Sequence, residues 1–438
     1  MTDKFPKIGF LLLLWFILHP SSFILAEDWP RWRGLRGDGT WNAPKLPDKW
    51  PDGGLKQVWR QPIGGGYCGI TAAEGRVFTM DLENPVVVRK DDKPDGVERI
   101  HCFDMKDGKS LWTHKYDVKY GGLGGYNNGP RAAPTFHDGK LYTIGAVGHF
   151  FCFDAATGKI IWSKDLVKDF GARIPEWGFA ASPVIDGDRV LVVCGAIPNG
   201  CIIAFDRLSG KELWRSLSDP AGYATPIVIH PKSGKQIVVW TPLNIRGIDA
   251  DTGKLLWTVP HKITYGVAIA TPIFRDGLVF VTEYWDGALA IKLGDKPTEM
   301  EVLWQDKKNL RGLMAQPLYK DGHVYSIDRQ MGLTCFELKT GKKLWDDENK
   351  MTPKARNPHA SFVWINDGDR ILSLNAEGQL ILAKLNPKGY EEQSRTKILD
   401  GQLWGHPAFV DRFIVAKTDG AERQGKGPFE MVCVELVK

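Results

Sequence analysis

The chain has 438 residues, 43% hydrophobic and 25% charged, which excludes wholesale disorder, a collagen-like repeat and a coiled-coil rod. Its 57 basic and 52 acidic residues leave a net charge of +5, too small and too dispersed for a nucleic-acid footprint. The 48 glycines and 17 tryptophans point instead to many tight turns built around large flat side chains.

Lys4 and Lys7 precede an apolar run from Ile8 to Leu18, and a second apolar stretch ends at Ala26, just before Glu27 and Asp28. Lysines, an apolar middle and a small terminal residue predict a secretory signal peptide over 1–26, cleaved after Ala26. A membrane anchor is the alternative, but the apolar stretch is short and His19-Pro20-Ser21-Ser22 interrupts it. No cysteine stands near the cleavage point for lipid attachment, and no later segment could cross a bilayer as a helix. A periplasmic or secreted location is therefore expected. Residues 27–54 hold Trp29, Trp32, Trp41 and Trp50 with four prolines, and such apolar mass predicts an extended strap packed along the rest of the molecule.

From residue 55 to 438 the chain repeats. Five decapeptides align without gaps, beginning at Phe103, Phe153, Phe205, Ile248 and Phe336 and ending in Trp112, Trp162, Trp214, Trp257 and Trp345. Worn copies end in Trp59 and Trp304. Successive tryptophans lie 53, 50, 52, 43, 47 and 41 residues apart. Between them runs a second register of Gly-containing turns, Glu74-Gly75, Asp138-Gly139, Asp186-Gly187, Ser233-Gly234, Asp276-Gly277, Asp321-Gly322 and Asp367-Gly368, each splitting two short β-rich runs. Such turns need positive φ, which glycine adopts freely, and they signal hairpins. The Thr/Ser-Gly-Lys turn inside each decapeptide is a second hairpin.

Each unit is therefore four antiparallel strands, A to D, and a four-strand period near 48 residues predicts an all-β, eight-bladed β-propeller. Trp59 lies before the first A strand, whereas the chain ends on a C strand, Glu430 to Leu436. The last blade is thus expected to borrow its D strand from the N-terminal side and close the ring. An eighth D strand is placed at Thr396–Leu399. Seven blades with an extra strand pair is the weaker alternative. The repeated tryptophans Trp59, Trp112, Trp162, Trp214, Trp257, Trp304 and Trp345 are expected to lie flat on glycine backbone of the neighbouring blade, where no Cβ intervenes.

Four of the seven cysteines, Cys102, Cys152, Cys335 and Cys433, share one strand position and predict small buried sites. Cys194 and Cys201 flank a short turn, so either two free thiols or a bridge across a hairpin is open.

Strand parity divides the ring into two faces. A–B and C–D turns fall at one end and are uniformly tight. B–C and D–A connections fall at the other and are long, at 82–98, 118–130, 167–179, 355–359 and 419–429. Functional groups concentrate on such loops. There stand Tyr67, Tyr126, Asn127, Arg131, Arg173, Glu176, Trp177, Tyr265, Glu283, Tyr284, Trp285, Asp286, Arg311, Arg329, His359, Trp404 and His406, with Tyr223 and Arg356. Aromatics and arginines at the head of channel-lining strands suit a polar ligand with flat or anionic parts, such as a quinone-like cofactor, a glycan or an acidic peptide. The alternative is that they plug and rigidify the channel. The ten histidines show no zinc spacing, and no catalytic metal site is expected.

The Asp-x-x-Thr-Gly-Lys-x-Leu-Trp decapeptide at this spacing resembles the docking motif of the pyrroloquinoline-quinone (PQQ) repeat propellers, a superfamily that holds quinoprotein alcohol dehydrogenases and the assembly factor BamB. The resemblance covers residues 55–438 and implies eight blades. The opening Asp28-Trp-Pro-Arg-Trp-Arg-Gly34 looks like the N-terminal signature of exported bacterial proteins of this kind. The dehydrogenases carry two adjacent bridged cysteines over the cofactor, a Ca²⁺ site and an aspartate base. This chain has no Cys-Cys pair and no Cys-x-x-Cys-His, a departure that turns the expectation towards the non-dehydrogenase, BamB-like branch. A monomeric binding or scaffold module for a protein or envelope component is therefore expected, with no cofactor and no nucleic acid. A PQQ- and calcium-dependent oxidoreductase is the first alternative and glycan binding the second.

Overall fold

The Asp-x-x-Thr-Gly-Lys turn folds as it does because each side chain closes part of it. Asp154 Oδ1 accepts from Thr157 N and Thr157 Oγ1 at 2.9 and 2.7 Å, and Gly158 N donates back to Asp154 O at 2.9 Å. Asp206 with Ser209 and Asp249 with Thr252 repeat the arrangement. The N–H after the turn's acid then reaches the A–B turn: Ala155 N, after Asp154, donates to Gly139 O, and Leu338 N, after Glu337, to Gly322 O, both at 2.9 Å. Both kinds of tight turn therefore sit at one end of a blade.

The computed structural model describes residues 27–83, 95–120, 123, 129–312, 314–419 and 428–437; the predicted signal peptide lies outside them. Among the described residues the strands form eight sheets, seven in the sequential A-B-C-D order. Blade 1 runs from Thr71–Ala73 to Ser110–Lys119, blade 2 from Thr135–His137 to Ile160–Asp165, and blade 3 from Val184–Asp186 to Glu212–Ser216. Blades 4 to 7 begin at Ile227–Ile229, Ile273–Arg275, Leu318–Lys320 and Ala360–Ile365. In blade 8, Ala408–Val410, Phe413–Lys417 and Glu430–Glu435 are completed by Lys56–Pro62, with Trp59 opposite Cys433. The ring is latched by the segment that precedes blade 1. Blade 7's outer strand is Gly389–Lys397, longer than expected and ending before Ile398, because a two-residue hairpin, with Asn386 paired to Gly389, replaces the longer Thr-Gly-Lys turn and lets the strand start earlier.

The core lies between blades, where one face of each sheet meets the next. Ile144, Phe150, Val192 and Phe205 are all buried between blades 2 and 3. Each such side chain contributes about 1.5–3 kcal/mol by leaving water. At the rim, a Cβ on Gly108, Gly158, Gly210, Gly253 or Gly341 would stand 2.6–2.8 Å from the indole of Trp59, Trp112, Trp162, Trp214 or Trp304. Two tryptophans depart from the expected docking. The blade 5 turn that follows Trp257 has lost its Gly-Lys, so this indole covers Gly247 of its own blade and donates to Gln236 Oε1 at 2.8 Å. Trp345 faces the equally worn blade 7 turn and donates to Asn386 O at 3.0 Å. All seven cysteines are free and buried, Cys194 and Cys201 included.

The N-terminal segment does more than strap the ring. Its second half lies along blade 7: Thr40–Trp41 pairs in parallel with the inner strand Ala360–Ile365, and Trp41, Leu46 and Trp50 are buried against blades 7 and 8. Its first half turns into the central channel. Trp29 exchanges two backbone hydrogen bonds with Ala72 of blade 1, Pro30 O accepts from Phe136 N of blade 2, and Arg33 reaches Pro317 O of blade 6 at 2.6 Å. Gly34 permits the hook, since at φ +84° a Cβ would lie 2.5 Å from the Trp29 ring.

Candidate functional site

One residue stands two positions before the A strand in seven blades, Gly69, Ala133, Ser182, Thr225, Thr271, Gln316 and His406, and in blade 7 His359 directly precedes the strand. Side chains at these positions tie blade to blade. Ala133 N donates to Ser182 Oγ, Ser182 N to Thr225 Oγ1, and Thr271 N to Gln316 Oε1, at 3.0, 3.0 and 2.7 Å. They make the waist of the channel, and Trp32 of the hook sits in it. Its Nε1 donates to Thr271 Oγ1 at 2.8 Å, and its ring meets His406 edge to face at 4.7 Å. The channel is thereby divided into two cavities that share Trp32.

The cavity on the loop face, about 220 Å³, is a funnel lined by aromatic rings: Trp32, Tyr67, Trp177, Tyr223, Tyr284, Trp285 and Trp404, with Arg131, Arg356, Met314 and Gln316. The rings pair around the wall. Tyr67 stacks on Trp404 at 5.3 Å, Trp177 meets Tyr223 at 5.8 Å and Tyr284 meets Trp285 at 4.4 Å. Arg131 lies over Tyr67 at 5.5 Å and Arg329 over Tyr284 at 4.4 Å.

The rings are held by buried acids at the ends of B strands. Asp419 Oδ2 accepts from Trp404 N and, at 2.8 Å, from Gly405 N. Glu283 accepts from Trp285 N at 2.8 Å and from Asp286 N, and Asp328 Oδ2 accepts from Arg311 N at 2.9 Å. Burial raises the Asp419 carboxyl and pushes Glu283 up to about 8, against which its backbone donors act only in part.

Of the residues singled out from sequence, Tyr67, Arg131, Trp177, Tyr284, Trp285 and Trp404 line the funnel. Tyr265 stands at its rim, 69% exposed and edge-on to Trp285 at 5.1 Å. Arg173 and Glu176 are exposed outside the lining, while Arg311 bonds Gln330 at 3.0 Å. Glu283 and Asp286 serve the backbone, Asp286 Oδ2 accepting from Thr264 N at 2.8 Å. His359 and His406 are not at the mouth but buried in the waist. There burial lowers His359 to about 4 and His406 well below the usual imidazole value, so both are neutral. Tyr126 and Asn127 lie outside the described residues. Sequence reasoning missed Trp32 as a channel residue and the waist residues other than His359 and His406. Their signal was the recurring residue-proline pair before the A strands, at 133–134, 182–183, 225–226, 271–272, 316–317 and 406–407.

Calcium with PQQ does not fit this donor set. Ca²⁺ takes six to eight oxygen ligands, mainly carboxylates, yet the described lining carries no carboxylate and no cysteine. Among the described residues, no three His, Cys, Asp or Glu side chains converge in a way that could hold a metal.

Comparison with known proteins places the chain. A BamB of Shewanella oneidensis is 22% identical over 318 residues, covering 68% of this chain and 74% of the relative. The quinohemoprotein alcohol dehydrogenase ADH IIB of Pseudomonas putida is 32% identical over 191 residues, but these span 41% of this chain and only 26% of that enzyme. Among solved structures, BamB from Moraxella catarrhalis aligns at a TM-score of 0.55 and 18% identity, over 87% of this chain and 97% of that one. A europium-containing methanol dehydrogenase aligns at a TM-score of 0.67 and 10% identity, over 93% and 98%, a likeness of fold alone. The family model described as outer membrane protein assembly factor BamB matches residues 96–347 and 241–389, and the chain belongs to that family.

Proposed function

We propose that the protein is a BamB-like scaffold of the cell envelope that holds a polypeptide partner through its loop-face funnel. The observation that carries this reading is the funnel itself, a concave wall of paired aromatic rings whose backbone is fixed by Glu283 and Asp419. Rigid aromatics give large contact area at low entropic cost, and they anchor protein interfaces. Arg131, Arg329 and Arg356 around the rings favour a partner segment with apolar side chains flanked by carboxylates. Relatives named for outer membrane protein assembly support an envelope location and an envelope partner. Among the described residues no helix is long and apolar enough to cross a membrane.

A photo-crosslinking residue placed at Trp404 or Tyr284 tests the reading in the organism's envelope. Discrete protein adducts are expected from these positions and not from Leu213 on the outer edge of blade 3. Equal adducts from all three, or none from the funnel, would refute it. Stoichiometric binding of PQQ with Ca²⁺ accompanied by alcohol-dependent dye reduction would replace it with the redox alternative.

A further inference from the structure

Beneath Trp32, at the tight-turn end of the channel, lies a second and larger chamber of about 670 Å³. The A strands of blades 3, 4 and 5 wall it on one side, and the hook from Arg31 to Thr40 on the other. Two of its four arginines are neutralised. Arg36 bonds Glu27 at 2.7 Å, and Arg275 bonds Asp38 at 2.8 Å. The other two have no carboxylate within 4 Å among the described residues. Arg31 donates only to Leu35 O, at 2.6 and 3.1 Å. Arg33 donates to Pro317 O and Asp38 O at 2.6 and 2.9 Å, is 3% exposed, and leaves its Nε–H without an acceptor.

The acids on the facing wall are engaged elsewhere. Asp186 pairs with Lys235 and Arg189, and Asp276 accepts from the Tyr319 hydroxyl at 2.7 Å. Asp38 attracts both Arg31 and Arg33, but its carboxylate is bonded to Arg275, so one acid is shared among three guanidinium groups. A buried guanidinium short of counter-charge is costly, and its planar fork matches an oxyanion better than water does. Arg33 is also held in the left-handed region at φ 63°, a strained conformation for a residue with a side chain. Burial and the nearby Arg275 charge both disfavour the Arg33 cation, and the attraction of Asp38 offsets them only in part. The chamber's volume suits a small molecule.

We infer that this chamber binds a small oxyanion, a free phosphate or sulfate group, between Arg31 and Arg33 with Arg275 at its margin. The site is separate from the funnel and does not depend on its ligand.

Calorimetric titration of the whole protein with inorganic phosphate and with sulfate, against chloride at matched ionic strength, tests the assignment. One saturable site is expected. Arg31→Gln should weaken it on the order of tenfold or more, since charge-assisted bonds are lost, while Arg31→Lys retains most of it. Arg31 bonds only its own loop, so the melting temperature without phosphate should stay near wild type. Arg215→Gln on the outer strand of blade 3 and Trp285→Ala in the funnel should leave phosphate affinity unchanged. The assignment is overturned if neither anion binds beyond the chloride control, if Arg31→Gln binds like wild type, or if Arg215→Gln loses as much.

Discussion

Replacing Gly158 by alanine tests how the blades are wedged together. Gly158 sits in the C–D turn of blade 2 at φ +71°, and a Cβ there would stand 2.6, 2.8 and 2.9 Å from Cδ2, Cγ and Cε3 of Trp112, where ordinary contact begins at 3.4 Å. Gly139, in the other turn of the same blade, has φ +67° and nothing within 4 Å of the same position. The left-handed conformation costs an L-residue about 1–2 kcal/mol, a penalty common to both sites. Overpacking against the indole adds about 1–3 kcal/mol at Gly158 alone. Gly139→Ala should therefore lose about 1–2 kcal/mol and Gly158→Ala about 2–5 kcal/mol. Denaturant unfolding followed by fluorescence and circular dichroism measures both, with equal m-values required for the comparison. In a Trp112→Ala background the extra penalty at Gly158 should vanish. If Gly158→Ala costs no more than Gly139→Ala in the wild-type background, the wedge argument is wrong.

Three further outcomes follow from the same geometry. Burial holds Glu283 protonated up to about pH 8, whereas an unfolded glutamate ionises near 4.5, so between these values the folded chain keeps a proton that the unfolded chain has lost. Its contribution to stability is full below about pH 4.5 and falls as pH rises towards 8, by at most about 1.4 kcal/mol per pH unit. Glu283→Gln should flatten that decline in melting temperature, and an unchanged slope would count against it. Trp32→Ala should join the funnel to the chamber and uncover His406, read as new labelling of that histidine by an acylating reagent; protection equal to wild type would show that the waist is sealed by other groups. Deleting residues 27–62 should abolish the cooperative unfolding transition, because blade 8 loses its outer strand and the Trp59 wedge. A truncated chain that melts like the full one would mean the latch is dispensable.

Repeat number, strand order and ring closure were legible in the sequence because they rest on local chemistry. An Asp-x-x-Thr-Gly-Lys turn closes through its own side chains, and glycine's positive φ marks each hairpin wherever it occurs. Strand parity then assigned Tyr67, Trp177, Tyr284 and Trp404 to one face without any knowledge of distance. The tertiary structure decided what no local pattern encodes. Glu283, His359 and His406 carry chemistry by residue type, yet burial by distant blades turns the first into a backbone anchor and the other two into neutral waist residues. The same holds for Arg33 and Trp32. Their motif was visible, but their place inside the channel depends on Pro317 and Thr271, some 240 to 280 residues away in the chain, which only ring closure brings within reach.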